Sequence, residues 1–136
     1  MKIKLDEWAI MPTRAYETDA GLDLYAERDE ICPSRSYAKF DTGVHIEIPK
    51  GYVGFIKSKS GLNVKYGIVG EGVIDAGYTG SIQVKLYNQG YISHKFNRGD
   101  KIAQLVILPI ITPTLELVDE LEETERGNNG FGSTGK

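Results

Sequence analysis

Gly72-Val73-Ile74-Asp75-Ala76-Gly77-Tyr78-Thr79-Gly80 runs directly into Ser81-Ile82-Gln83-Val84-Lys85-Leu86-Tyr87-Asn88. The second segment alternates without a break and places Ile82, Val84 and Leu86 on one face, the period-2 pattern of a half-buried strand. The first is a short apolar strand that meets a turn over Ala76-Gly77. Gly77 and Gly80 tolerate the positive φ and tight bends that such a turn needs. Together they read as a hairpin with one carboxylate, Asp75, at the strand–turn junction and one aromatic, Tyr78, just beyond it. Asp75 is either a turn former or a group that a rigid scaffold presents at a strand end, and the local sequence fits both.

Outward from this stretch, the same short-strand grammar continues. Lys2–Trp8 alternates loosely, as an edge strand does. Short strands follow at Asp19–Ala26, entered through Gly21, at Ile31-Cys32, and at Tyr37–Phe40. Val44–Ile48 turns Val44, Ile46 and Ile48 inward and His45 outward. Pro49-Lys50-Gly51 is a turn, and Tyr52–Lys57 is the next strand. Asn63–Tyr66 has room for one helical turn, with Ser60 as its N-cap. Phe96–Asp100 is a turn. Ile102–Ile111 is nearly continuous apolar sequence, as expected of a strand buried on both faces. Leu115–Val118 gives the last strand signal. Many closely spaced strands with Gly/Pro punctuation argue an all-β sandwich or barrel. The expected division is a β domain over residues 1–121 and an arm over 122–136, too rich in Gly and Asn to bury a core.

The 136 residues fit one domain, and a net charge of −3 excludes binding driven by neutralising a nucleic-acid backbone. Cys32 is the only cysteine, so no intrachain disulfide forms, and a reducing compartment is expected. Met1–Ile10 lacks the apolar region of a signal peptide, and no apolar run reaches membrane-spanning length. The expectation is a cytoplasmic or nuclear protein, or one acting in a host cytoplasm if phage-encoded. His45 has no neighbouring His or Cys, so no metal site of protein ligands is expected.

Three other stretches carry chemistry. Ser58-Lys59-Ser60-Gly61 combines a cation, two hydroxyls and a glycine, an anion-binding set. Gln104 interrupts an otherwise apolar strand after Arg98-Gly99-Asp100-Lys101, and a polar side chain there needs a partner. Gly130–Lys136 has the G-x-x-x-x-G-K spacing of a nucleotide loop, but no buried strand precedes it and no helix can follow. Its glycines and Ser133 and Thr134 still offer donors to a phosphate, Arg126 adds a planar fork, and Phe131 between glycines is a flat ring suited to stacking.

In register, these stretches resemble the five motifs of the trimeric deoxyuridine triphosphate nucleotidohydrolase (dUTPase) family. They are Ala20–Leu24, Ser58–Leu62, Gly72–Gly80, Arg98–Leu105 and Arg126–Gly135. The resemblance implies a jelly-roll β domain and a homotrimer with active sites shared between subunits. It also implies hydrolysis of dUTP to dUMP and pyrophosphate, with Mg²⁺ carried by the triphosphate, no membrane partner and no direct nucleic-acid binding. Such an activity supplies dUMP for thymidylate synthesis and limits uracil in DNA.

By the same resemblance, Asp75 activates the water that attacks the α-phosphorus. Lys59, Ser60, Gly61 and Gln104 hold phosphates, and the backbone of Gly72, Val73 and Ile74 reads the uracil edge. Tyr78 stacks on the deoxyribose, Phe131 covers the base, and Arg126, Gly132, Ser133 and Thr134 take the outer phosphates. Asp23 stands near metal-bound water, Asp100 supports the phosphate loop, and Gln83 plays a minor part. Two departures stand out. Lys59 occupies a position where the family usually has Arg, and Val69-Gly70-Glu71 replaces an Asn-bearing stretch near the uracil hairpin. The rival readings are a dCTP deaminase relative, which needs an acid that Ser81–Asn88 lacks, and a phage-type regulator switched by dUTP.

Overall fold

The computed structural model describes residues 1–135; Lys136, the end of the Gly130–Lys136 stretch, lies outside the described residues. Among the described residues the chain forms eleven strands and one short helix. In order they are β1 (Lys2–Leu5), β2 (Gly21–Tyr25), β3 (Glu30–Cys32), β4 (Tyr37–Asp41), β5 (Val44–Glu47), β6 (Tyr52–Ser58), α1 (Ser60–Tyr66), β7 (Ile68–Val69), β8 (Gly72–Ile74), β9 (Gln83–Asn88), β10 (His94–Phe96) and β11 (Lys101–Pro109). A four-stranded sheet has the order β2-β11-β6-β8, and a three-stranded sheet the order β4-β9-β7. Two further pairs, β1-β5 and β10-β3, complete the antiparallel architecture.

The alternation predicted from the sequence is what closes the core. Ile82, Val84 and Leu86 are fully buried, together with Leu24, Phe40, Ile56, Ile68, Phe96, Ile102 and Leu105. Phe40 and Phe96 meet edge to face at 5.4 Å between ring centroids, the arrangement that aromatic quadrupoles favour.

Several expectations change. Gly72–Ile74 and the following strand do not pair with each other. β8 pairs with β6 (Gly54↔Ile74, Phe55↔Val73, Ile56↔Gly72), whereas β9 pairs with β4 and β7 in the other sheet. The turn itself is present: the Tyr78 N–H donates to the Asp75 carbonyl at 3.1 Å, and Gly77 has φ +92°. It therefore begins a crossover between sheets instead of joining two ladder partners. The helix starts at Ser60, so Lys59 is its N-cap, with no side-chain capping bond; Gly67 ends it in the left-handed conformation.

β11 is buried on both faces only in its first half. Its pairing with β2 ends at Val106↔Gly21, and beyond that point Leu108, Ile110 and Ile111 are exposed. Leu115–Val118 forms no strand and pairs with no strand among the described residues; Leu115 and Leu117 are exposed almost completely. His45 does not face open solvent. Its side chain is only 21% accessible, and both ring nitrogens face protein groups.

Gly54 lies where β6 passes under Ile48, Leu105 and Ile74. A Cβ there would stand 2.9 Å from Ile48 Cδ1, 3.0 Å from Leu105 Cδ1 and 3.2 Å from Ile74 Cβ. Overpacking of that kind costs about 1–3 kcal/mol. Gly54→Val is expected to lose about that much in urea denaturation with an unchanged slope. A wild-type midpoint would show that the layer yields freely.

Candidate active site

One group of the predicted residues converges where β2, β6 and β11 run side by side. Asp23 is buried, and both its oxygens are taken: Lys59 Nζ lies 2.5 Å from Oδ1 and Lys101 Nζ 2.7 Å from Oδ2. Burial pushes the Asp23 carboxyl up, but the bonds from Lys101 and Lys59, with their charges, outweigh it and hold it below its ordinary 3.8. The same Asp23 bond raises the Lys101 ammonium above its usual value. Lys101 had no role assigned from sequence. It follows a charged turn, and only the β2–β11 register shows which carboxylate it reaches.

Gln104 is the register partner of Asp23 on one side and Lys57 on the other, and its amide donates to the Ser58 carbonyl at 3.0 Å. The polar side chain thus has the partner its apolar surroundings demand. Gly21 makes room for it: a Cβ at Gly21 would meet Gln104 Cβ at 2.9 Å and Cδ at 3.0 Å, with Oε1 closer still. Ser58 closes the corner, its hydroxyl accepting from the Gly70 N–H at 3.0 Å and donating to the Gly70 carbonyl at 3.2 Å. Ser60 and Gly61 are exposed at the start of α1, with open space around Gly61. The Asp100 carboxylate, one residue before Lys101, accepts the Asn97 N–H at 2.8 Å and closes the Asn97–Asp100 turn.

The second group gathers beyond the edge strand β8. Ile56, Gly72, Val73, Ile74, Asp75, Tyr78 and Gln83 line a concavity of about 260 Å³. Asp75 is exposed at its rim. Tyr78 folds back over Gly80, its hydroxyl donating to the Ser81 carbonyl at 2.9 Å; a Cβ on Gly80 would lie 2.5 Å from that oxygen. Gln83, given only a minor part from sequence, borders the same space.

The chain does not bring the two groups together. Ile74 pairs with Gly54, and Lys59 lies five residues further along the same strand direction. At about 3.3 Å per strand residue the separation is about 17 Å, and Asp75 extends away from it. The third set, the tail, stands apart from both. Its hydrogen bonds are local, among them Arg126 Nε to the Asn129 carbonyl at 3.0 Å and the Gly127 N–H to Thr124 Oγ1 at 3.0 Å. Phe131 is fully exposed, and Gly132, Ser133 and Thr134 are exposed beside it. Among the described residues no three His, Cys, Asp or Glu side chains group as a metal cage. No helix is long and apolar enough to cross a membrane.

A divided, carboxylate- and lysine-bearing site on an antiparallel β scaffold is the class the geometry defines, and comparison with known proteins makes it specific. The family model described as dUTPase matches residues 7–135. A deoxyuridine 5'-triphosphate nucleotidohydrolase of Solanum lycopersicum is 44% identical over 133 residues, covering 97% of this chain and 79% of that protein. A probable deoxyuridine 5'-triphosphate nucleotidohydrolase of Schizosaccharomyces pombe is 44% identical, covering 97% and 95%. The solved structure of the Staphylococcus bacteriophage 80alpha dUTPase with dUPNHPP superposes with a TM-score of 0.89 at 35% identity, covering 99% of this chain and 98% of that one. A phage phi11 dUTPase mutant, described as revealing the coordination of a structural Mg(II) ion, gives a TM-score of 0.82 at 34% identity, covering 90% and 98%. The chain belongs to the dUTPase family, and its fold is that family's all-β jelly roll.

The Asp23 group carries a pH signature. Its folded pKa is depressed, so its stabilising contribution is fully present above the ordinary carboxylate value of 3.8 and is lost as pH falls through the lower folded value. Asp23→Asn keeps the shape and removes the titration. The gap in thermal midpoint between wild type and Asp23→Asn is expected to shrink as pH falls from about 5 to about 2. A gap that stays constant over that range would remove Asp23 from the linkage.

Proposed function

We propose that this chain hydrolyses dUTP to dUMP and pyrophosphate, with a water activated by Asp75 attacking the α-phosphorus in line. The observation that carries this reading is the exposed Asp75 at the rim of a concavity shared with Tyr78, in a chain of the dUTPase family. A carboxylate is a weak base at neutral pH, so positioning and charge stabilisation supply most of the rate, as in phosphoryl transfer generally. Gly72, Val73 and Ile74 lie on an edge strand whose outer N–H and C=O groups have no ladder partner in the chain, which supports their reading the uracil edge. Fixed main-chain donors and acceptors reject cytosine, because a mismatch leaves buried groups unpaired. Tyr78 packs on the sugar, and Gln83 borders the same pocket.

Ser60, Gly61 and Gln104 take the phosphates. Lys59 joins them by leaving Asp23, and Lys101 remains to balance that buried carboxylate. Mg²⁺ carried by the triphosphate would supply charge neutralisation, and Asp23, paired here with Lys59 and Lys101, is the carboxylate that would face it through water.

The reading also includes a homotrimer. Ile74 and Lys59 of one chain stand about 17 Å apart along the sheet by strand rise, and Asp75 lies a residue further away, too far for Asp75 and Lys59 to serve one phosphorus atom. Exposed Leu108, Ile110, Ile111, Leu115 and Leu117 provide the apolar surface that assembly would cover. Residues 1–121 form the β domain and 122–136 an arm. Arg126, Phe131, Gly132, Ser133 and Thr134 of that arm close over base and outer phosphates. The expected setting is cytoplasmic or nuclear, or the cytoplasm of an infected cell, where the activity supplies dUMP and limits uracil in DNA.

Asp75→Asn is expected to lower turnover by roughly the 10²–10⁴ of general-base loss, with binding of a non-hydrolysable dUTP analogue nearly intact. Turnover above a tenth of wild type would take the role from Asp75. Pyrophosphate release measured across all the deoxynucleoside triphosphates tests the substrate assignment.

Removal of residues from Arg126 onward is expected to leave the thermal midpoint and assembly unchanged, since the tail's hydrogen bonds among the described residues are local, while abolishing most turnover. A truncated protein as fast as the full chain would sink the lid assignment.

A further inference from the structure

The loop that carries Asp75 and Tyr78 is held from outside by a side chain with no role in the reading above. His45, in the middle of β5, points its Nδ1 at the Thr79 carbonyl, 2.8 Å away. A carbonyl only accepts, so Nδ1 carries the proton. The other nitrogen, Nε2, lies 3.3 Å from Asp6 Oδ1, just past the end of β1. Nε2 is buried from solvent. Only a doubly protonated imidazolium satisfies both sides at once. It donates to Thr79 and forms an ion pair with Asp6.

We propose that His45 is a positioning residue that fixes the Asp75–Gly80 loop through Thr79, and that its protonation sets how firmly the loop is held. The inference rests on the assignment of Asp75 as the water-activating carboxylate.

The physical logic turns on the single proton of the neutral ring. When His45 deprotonates, Thr79 and Asp6 compete for it. A carboxylate is the stronger acceptor for an N–H. The tautomer with hydrogen on Nε2 then faces Asp6, and the Nδ1 lone pair is turned against the Thr79 carbonyl. The tether becomes a repulsion. Asp75 lies four residues before Thr79, across the Asp75–Tyr78 turn, so a slackened Thr79 displaces the turn that places both Asp75 and Tyr78. The loop's far end stays fixed by separate bonds: Ser81 Oγ donates to Asp41, and Thr42 and Val44 hold Ile82. His45 is thus the outside contact nearest to the reactive residues.

The charged groups around the ring point both ways. The Thr79 carbonyl and then Asp6 favour the imidazolium, and Lys4, opposite His45 in the β1–β5 ladder, opposes it; the balance raises the His45 pKa above 6.5. Asp41, at the end of β4, feels the same ring and is itself held below the usual carboxylate range: burial raises it, but bonds from Ser81 and Gln83 outweigh that. Lys2 and Glu47, further along the ladder, pair with each other at 3.4 Å. Because the folded pKa is raised, the stabilising contact is complete below the ordinary histidine value and is lost as pH rises through the folded one.

The test compares wild type, His45→Ala, His45→Asn and Asp6→Asn. It reads kcat on saturating dUTP from about pH 6 to about pH 9, together with amide hydrogen-exchange protection of residues 76–81. Asn places an amide N–H where Nδ1–H stood and cannot titrate. His45→Ala is expected to lose about tenfold to 10²-fold in kcat at every pH and to lose protection in the loop. His45→Asn should keep most of the wild-type kcat and lack the alkaline decline of wild type. Asp6→Asn exchanges the competing carboxylate for a weaker, neutral acceptor and should flatten that decline with His45 still in place.

A His45→Ala enzyme within twofold of wild type would overturn the proposal, and so would His45→Asn as impaired as His45→Ala, or an alkaline limb shared by wild type and His45→Asn. Should His45→Ala fail to fold, the two Asn variants decide alone. Failure of the Asp75 assignment is separately visible as turnover retained in Asp75→Asn, and the exchange data then still decide whether His45 holds the loop.

Discussion

A backbone segment can join the ladder of only one sheet at a time, and this chain changes sheets twice within fifteen residues. β7 belongs with β9, β8 with β6, and β9 again with β4. The first change happens at Gly70, where a Cβ would meet Leu86 Cδ2 at 2.8 Å and the Lys85 carbonyl at 3.1 Å. The second takes the whole Asp75–Ile82 segment. Between ladders the backbone must find other partners. At Gly70 these come from the Ser58 hydroxyl, and at Thr79–Ile82 from His45, Tyr78, Thr42 and Val44. The candidate site residues of β8 and of the Ser58–Gly61 stretch adjoin these two crossings, where backbone and side chains are free of the sheet and still positioned by specific bonds.

The burial pattern of the strands was legible because burial is local in sequence. Period-2 alternation in Ser81–Asn88 identifies Ile82, Val84 and Leu86 without any knowledge of what they face. Pairing is not local. The turn at Ala76-Gly77 is real, yet a turn signal says only that the chain reverses, not that its arms share a ladder. The same limit applies to β11 and to Leu115–Val118. Their apolar character is plain in the sequence, but whether it is met by the same chain depends on where β2 stops. The candidate site residues were proposed from the sequence mainly as five stretches in register. Lys101 and His45 escaped because their partners, Asp23 and Thr79, come from strands and loops far away in sequence. The outward face of a period-2 strand marks His45 as polar-side, which is correct for its strand and silent about the loop lying over it.

Asp23 illustrates how burial and charge were reconciled. A buried carboxylate with one counterion is strongly destabilised when that counterion leaves, because an uncompensated charge remains in low dielectric. Two ammonium groups divide the task, one on each oxygen. Lys59 adjoins the exposed Ser60 and Gly61 at the start of α1, whereas Lys101 stands at the start of β11. A lysine suits the proposed release from Asp23 better than an arginine would: its ammonium is a point charge on a flexible stem, whereas a bidentate fork on the same carboxylate would be harder to release.

The antiparallel register sets the last constraint. Because β8 runs against β6, every residue that continues β8 moves away from the end of β6 where Lys59, Ser60 and Gly61 sit. Lengthening or shortening the Asp75 turn cannot close a gap of about 17 Å, and bending the sheet that far would break the β6–β11 ladder that carries Gln104. Within the single chain the two candidate residue groups therefore stay apart. Its uncovered apolar strand end at Leu108–Ile111 and the exposed Leu115 and Leu117 lie on the chain leaving β11, the strand that also carries Gln104. A neighbouring copy that covered this surface would meet the chain beside one half-site, and a site assembled in that way would require folding, assembly and catalysis to share the same contacts.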